Sequence, residues 1–203
     1  MKILLPGDSY LLNLFGLSGV AALIYQVCWQ RLLFTGLGVD IESITIIVSA
    51  FMLGLGMGAL LGGILADYFP TKILKLFIAF EFSIGLFGLC SSFLIKRVAD
   101  HFVFAGAIGT GLSTFCLLLF PTMLMGATLP MLVTYLNKTF NHVGFSIGRL
   151  YFANTLGASV GSFMVGFVFF NFFTLSHTIY FAASLNFTVA VLVAFRLEKW
   201  NDK

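Results

Sequence analysis

The sequence has few charged residues, and this scarcity excludes most classes of soluble protein. Only 9% of the 203 residues are charged and 60% are apolar, whereas soluble domains carry roughly 25% charged residues. No charged residue occurs from Ser43 to Ala66, and about 20 apolar residues suffice to span the hydrocarbon core of a bilayer. The composition therefore predicts an integral membrane protein, and the small net charge of +3 gives no indication of nucleic-acid binding.

Cysteine and histidine are also scarce, which argues against a disulfide framework and against a metal centre. Cys28, Cys90 and Cys116 lie far apart in apolar segments and form no CxxC pair. The three histidines fall at predicted helix ends or in loops, without the spacing of metal ligands. No pair of a nucleophile and a base can be argued from the sequence, so we expect no metal, no cofactor and no catalytic residue.

Hydropathy predicts an all-α bundle of six membrane-spanning helices, in a single domain that covers residues 1–203. The fourth span is ambiguous because the apolar stretch 102–136 is too long for one upright helix and contains Pro121 and Pro130. Since proline inside a helix kinks its axis, we expect a kinked fourth span, with a re-entrant segment at 126–130 as the alternative. The predicted spans cover residues 10–33, 41–66, 73–95, 102–126, 145–170 and 175–197.

The basic residues of the short loops predict the orientation, because cytoplasmic loops of membrane proteins are enriched in Lys and Arg. With the N-terminus inside, three basic residues, Arg31, Lys96 and Arg97, lie on the outer side and eight lie on the cytoplasmic side. We therefore expect both termini in the cytoplasm and the protein in the inner membrane of a bacterium. The eight are Lys2, Lys72, Lys75, Lys138, Arg149, Arg196, Lys199 and Lys203.

Glycines recur at helical spacing in three of the predicted spans. Gly54, Gly58 and Gly62 are four residues apart and share one face of the second span. This small-xxx-small pattern lets two membrane helices approach closely. A nucleotide-binding glycine loop is excluded because the run at 54–58 lies mid-span, not between a strand and a helix. We predict helix packing at Gly54, Gly58, Gly62, Gly85, Gly88, Gly157 and Gly161.

Glu81 is the most informative of the few polar residues within the predicted spans, because a carboxylate there is costly and usually faces a partner or a watery cavity. Two interpretations stay open. Glu81 takes part in proton coupling or cation binding, or it makes a structural hydrogen bond to another helix in its neutral form. The other candidates for a substrate-binding polar lining are Tyr25, Gln26, Gln30 and Asn154, with interfacial anchoring as the alternative for the aromatic end of the first span.

Several stretches follow one order through most of the chain. They are LSG at 17–19, YQVCWQRLL at 25–33, AFMLGLGMG at 50–58 and on to Asp67, Glu81, PTMLMGATLP at 121–130 and GRLYFANTLGA at 148–158. Together they resemble the membrane module of fused spermidine-synthase-like proteins, which is described as major-facilitator-like. The resemblance implies a bundle like half of a major facilitator, here without the synthase domain.

The resemblance has further implications for single residues and for activity. The family pattern suggests a glutamate after the first-span tyrosine where this chain has Gln26, so we expect no role that needs a charge there. The segment from Gly63 to Asp67 resembles a major-facilitator loop signature whose aspartate takes part in gating, which implies a gating role for Asp67. The chain has no segment for an aminopropyltransferase domain, and we therefore expect no such enzyme activity.

Two functions fit these observations. The first is a half-size transporter that moves a small solute, in particular a cationic one, across the lipid bilayer as a homo-oligomer or with another membrane protein. The second is a non-catalytic membrane subunit or scaffold that anchors a partner protein or enzyme complex. A membrane enzyme is a third hypothesis, for which the sequence offers no catalytic constellation.

Overall fold

The chain folds into six long α-helices, and no strand occurs within its described residues. A computed structural model describes residues 6–37, 40–102, 104, 106–140 and 142–201, so Lys2 and Lys203 of the orientation argument lie outside them. The helices are α1 (Pro6–Leu37), α2 (Asp40–Tyr68), α3 (Ile73–Phe102), α4 (Gly106–Phe140), α5 (Val143–Met164) and α6 (Leu175–Asn201). A π-helical turn at Val165–Phe169 and a three-residue helix at Phe170–Phe172 continue α5.

All six helices have the length and the hydropathy needed to cross a membrane, the fifth with its continuation to Phe172. The hydrocarbon core offers no water to backbone N–H and C=O groups, so a segment that pairs these groups internally is favoured there. The helices are those of an integral membrane protein, and the predicted all-α class with six membrane-length helices is confirmed. The first helix is the most enclosed, whereas α2 and the fifth helix lie outermost.

The fourth helix is continuous from Gly106 to Phe140, with Pro121 and Pro130 inside it. Next to the first proline, the Thr122 hydroxyl donates to the Leu118 carbonyl at 2.8 Å and lies 3.3 Å from the Ala50 carbonyl of α2. The bond to Leu118 is the usual one from a helical threonine to the carbonyl four residues back, whereas the carbonyl that Pro121 leaves without its ladder donor is that of Leu117. The segment 126–130, for which a re-entrant piece was the alternative, belongs to this helix, and the kink stays a prediction.

The second and fourth helices run side by side in the same direction. A Cβ built on Gly58 would overlap the carbonyl of Met123, and one on Gly62 would overlap the backbone of Ala127. Because both residue numbers rise together along the contact, α2 and α4 are parallel. The glycines of α2 therefore let the two backbones touch, which is the close approach that small residues permit in membranes.

The first and fifth helices form a second parallel pair of the same kind. A Cβ on Gly157 would overlap the Gly16 carbonyl, and a Cβ on Gly161 would overlap the Val20 carbonyl. Here glycine faces glycine at one level, so both helices contribute to the close approach. Each of the two pairs thus depends on small residues spaced four apart on one of its members.

The third and sixth helices pack against each other and close the bundle behind these pairs. The sixth also contacts α1, where the Tyr10 hydroxyl donates to the Leu192 carbonyl at 3.2 Å and the Arg196 guanidinium lies 4.9 Å from the centre of the Tyr10 ring. The core draws buried side chains from all six helices, and Tyr25 and Trp29 of α1 are its largest fully buried side chains.

Replacing Gly58 with Ala is expected to lower the free energy of unfolding by about 1–3 kcal/mol, because the added methyl group meets the α4 backbone and overpacking costs about this much. Gly56 is the matched control, since a Cβ there has nothing within 4 Å. Gly56→Ala should leave stability unchanged or raise it slightly, because alanine favours the helix. Thermal unfolding in detergent, followed by circular dichroism, measures both variants; equal melting temperatures would contradict the contact.

Candidate functional site

The candidate site is centred on Glu81, which lies in the first third of α3 and is fully buried. Both carboxylate oxygens accept hydrogen bonds from other helices. The Ser18 hydroxyl of α1 donates to Oε1 at 2.6 Å, and the Asn186 amide of α6 donates to Oε2 at 2.7 Å. One carboxylate therefore joins three helices, and we call Ser18, Glu81 and Asn186 the carboxylate triad.

The two donors of the carboxylate triad escaped the sequence reasoning. Asn186 is an amide in the middle of the sixth predicted span, and the argument that singled out Asn154 applies to it equally. Ser18 carries a weaker signal because serine is tolerated on any face of a membrane helix. Neither residue could be assigned to Glu81 without knowing which helices are neighbours.

A second group of polar side chains continues along the same contact between α1 and α3. The Trp29 indole N–H donates to the Ser91 hydroxyl at 3.0 Å, and that hydroxyl donates to the Gly88 carbonyl at 2.8 Å. The Tyr25 ring stacks on Trp29 with centroids 4.9 Å apart. Tyr25, predicted as part of a substrate lining, is thus fully buried in the strip that also holds Glu81.

Two polar atoms of this region have no hydrogen-bond partner among the described residues, the Tyr25 hydroxyl and the Asn186 Oδ1 atom. The Tyr25 hydroxyl lies against Gly88, where a Cβ would overlap it. Gly85 faces the ring of Phe187 in α6, with 3.0 Å between an added Cβ and the nearest ring carbon. These two glycines, predicted for helix packing, therefore make room for aromatic rings, whereas Gly58 and Gly157 lie against backbone.

The other predicted lining residues, Gln26, Gln30 and Asn154, are half-buried. Asn154 of α5 faces α1, because a Cβ on Gly19 would come 2.8 Å from its side-chain oxygen. Within the described part of the chain, none of the three is hydrogen-bonded to Glu81, whose partners are Ser18 and Asn186. The structure thus places Glu81 and Tyr25 in one enclosed strip and leaves the three amides partly accessible.

Asp67, the residue with an implied gating role, is exposed on the last turn of α2. The loop that follows is tied to the far end of α4, because the Lys138 ammonium donates to the Pro70 carbonyl at 2.7 Å. Lys72 of the same loop lies 5.9 Å from the centre of the Phe69 ring. Asp67 is therefore at one end of the bundle, on a turn whose position is linked to α4.

In the part of the chain that the structure describes, no cluster of residues supports metal chemistry. No group of three His, Cys, Asp or Glu side chains lies close enough there to hold a metal ion. What the site offers is a fully buried carboxylate held by two neutral donors. Such an arrangement can anchor helices or handle a proton.

Comparison with known proteins gives one distant relative. No protein-family profile and no solved structure matches the chain. Over 184 residues, 91% of this chain, the sequence is 26% identical to a polyamine aminopropyltransferase of Oceanobacillus iheyensis. The chain spans about a third (35%) of that relative's length. The match supports the predicted resemblance to synthase-like proteins, whereas the resemblance to major facilitators stays a prediction.

Replacing Asn186 with Leu is expected to lower the free energy of unfolding by about 1–3 kcal/mol, because a buried carboxylate oxygen loses its donor. Adding Glu81→Leu to this variant should recover part of the loss, since removing both partners is cheaper than removing one. Ser184→Ala is the control, because this exposed α6 hydroxyl bonds within its own helix to the Phe181 carbonyl. Chemical unfolding in mixed micelles measures all three, and equal values for Asn186→Leu and Ser184→Ala would refute the role of the carboxylate triad.

Proposed function

We propose that this chain is one half of a membrane carrier, built like half of a major facilitator with a kinked fourth helix, and that two copies together move a small solute. Its membrane would be the inner membrane of a bacterium, with both termini in the cytoplasm. The relative's name contains a polyamine, so a small cationic amine is the first solute class to test.

The observation that carries this proposal is the order in which the helices pair. Consider a symmetry operation that exchanges α1 with α4, α2 with α5 and α3 with α6. It converts the α1–α5 pair into the α2–α4 pair and leaves the α3–α6 pair unchanged. Because consecutive membrane helices run in opposite directions, this exchange relates two inverted three-helix units. Nested three-plus-three inverted repeats are the construction of each half of a major facilitator.

Within such a carrier, the half-buried amides Gln26, Gln30 and Asn154 are the groups through which a solute would be bound. They can accept hydrogen bonds from an ammonium group without carrying a full charge into the membrane, which would be costly. Tyr25 and Glu81 lie deeper, so they would contribute only in a conformation that opens the strip between α1 and α3. Asp67 would act at the end of the bundle as a gating residue.

Glu81 would couple the solute to proton movement. Both of its oxygens face donors, an arrangement that suits the ionised form. A carboxyl group that gains a proton must reverse or lose at least one of these contacts, and each of them joins α3 to a different helix. Protonation would therefore change how α1 or α6 is held.

Uptake of radiolabelled polyamines, amino acids and small metabolites into proteoliposomes tests the proposal. We expect wild-type protein to exceed empty liposomes for a cationic amine. Glu81→Gln should reduce this uptake severalfold in protein that remains folded by circular dichroism, because glutamine fills the same space but cannot exchange a proton. Gln26→Ala and Asn154→Ala should raise the concentration needed for half-maximal uptake.

Ser184→Ala serves as the control for reconstitution, since its side chain lies on the exposed face of α6. Wild type and Glu81→Gln carrying every solute equally poorly would contradict the transport proposal. Equal and substantial uptake by the two would leave transport standing and assign Glu81 to structural anchoring.

A scaffold function is the second candidate, and the length of the relative favours it. The matched region is about a third of the aminopropyltransferase, so the relative has an extensive further region beside it. In this reading the outward faces of α2 and α5 would anchor a synthase-like partner. Purification in mild detergent with identification of bound proteins separates the two functions: a stable heteromeric complex supports the scaffold, and a symmetric dimer supports the carrier.

A further inference from the structure

A groove of about 670 Å³ opens between the first half of α1 and most of α5. Its volume falls within the roughly 300–1,000 Å³ typical of small-molecule sites. The groove opens toward the side of the bundle, and most of its lining is apolar. Two lining residues differ: Asn13 is polar and Arg149 is charged. The apolar lining includes Leu12, Leu17, Val20, Phe152, Leu156 and Val160.

The polar residues lie together at one end of the groove. The helices are parallel with Gly16 beside Ala153, so Asn13 lies opposite the turn that holds Arg149. Arg149 is about 9 Å along the axis from the start of α5, and Val160 lies about 16 Å further on, at 1.5 Å per residue. The groove thus has a cation near the membrane surface and an apolar channel that leads toward the bilayer centre.

Arg149 is available to a ligand. Its guanidinium lies 5.3 Å from the centre of the Phe145 ring, and it has no carboxylate partner among the described residues. A cation at the edge of the hydrocarbon region is favoured when an anion neutralises it. The planar guanidinium matches a phosphate with two parallel hydrogen bonds.

We propose that this groove binds one anionic phospholipid, with the phosphate on Arg149 and Asn13 and an acyl chain along the apolar walls. Charge decides between this groove and the corresponding one between α2 and α4. That second groove, of about 420 Å³, carries Glu42 in place of a cation. Two grooves of the same construction thus differ in charge, and only the α1–α5 groove attracts a phosphate.

Native mass spectrometry of delipidated protein, titrated with phosphatidylglycerol or with phosphatidylcholine of the same chains, tests the proposal. We expect wild type to retain phosphatidylglycerol in preference. Arg149→Gln should weaken its retention by roughly tenfold, since a charged hydrogen-bonding partner is lost. Arg149→Lys should fall between the two, because it keeps the charge without the planar fork.

Gly148→Leu tests the space beside Arg149, because Gly148 lines the groove there and a Cβ on it has nothing within 4 Å. Its side chain should fill the end of the groove that takes the lipid headgroup and reduce the binding of both lipids. Gly56→Leu, on an open site outside the groove, and Glu42→Gln, in the other groove, should bind lipid like wild type.

Three results would overturn the proposal: equal retention of the two lipids by wild type, unchanged phosphatidylglycerol binding in Arg149→Gln, or loss of a dimer without loss of lipid in Gly148→Leu. The last would assign the groove to a second copy of the chain. If Gly148→Leu does not fold, the comparison of Arg149→Gln with Arg149→Lys decides the question alone.

Discussion

Close contact between helix backbones at small residues is the constraint on which this bundle depends. Lipid chains are as apolar as leucine, so burying an apolar face against another helix gains little over leaving it in lipid. A helix becomes a better neighbour than lipid where small side chains let two helix backbones approach closely. The glycines of α2 and α5 allow that approach, and they fix the parallel α2–α4 and α1–α5 pairs.

Directional polar bonds supply the specificity that glycine contacts lack, because a stripe of small residues can slide by one turn. The carboxylate triad permits one register between α1, α3 and α6, since a shift of one turn would leave a buried carboxylate without donors. The Trp29–Ser91 and Tyr10–Leu192 hydrogen bonds also help to fix the register of the helices, at other levels of the bundle. The enclosed polar strip therefore fixes the arrangement of the helices, in addition to any chemistry it performs.

The class of fold could be predicted because the bilayer acts on composition directly: scarce charge and long apolar runs leave few alternatives to membrane helices. Glu81 stood out for the same reason, as a charge in an apolar run. Its partners could not be found this way, because Ser18 and Asn186 are 63 and 105 residues away in sequence and only tertiary packing brings them together. The spacing of Gly157 and Gly161 likewise identified a packing face without naming α1 as its neighbour. The roles of the lining residues stay predictions, since a function depends on conformations that composition does not encode.

The π-helical turn at Val165–Phe169 has a consequence for how the chain can vary through evolution. A π turn accommodates one more residue than the α-helix around it, so it changes the phase of every side chain that follows. Before the turn, α5 presents Gly157 and Gly161 to α1; within the turn, Val165 and Phe169 are the buried residues. A relative that lacks the turn would differ here by the deletion of one residue, with its flanking faces unchanged.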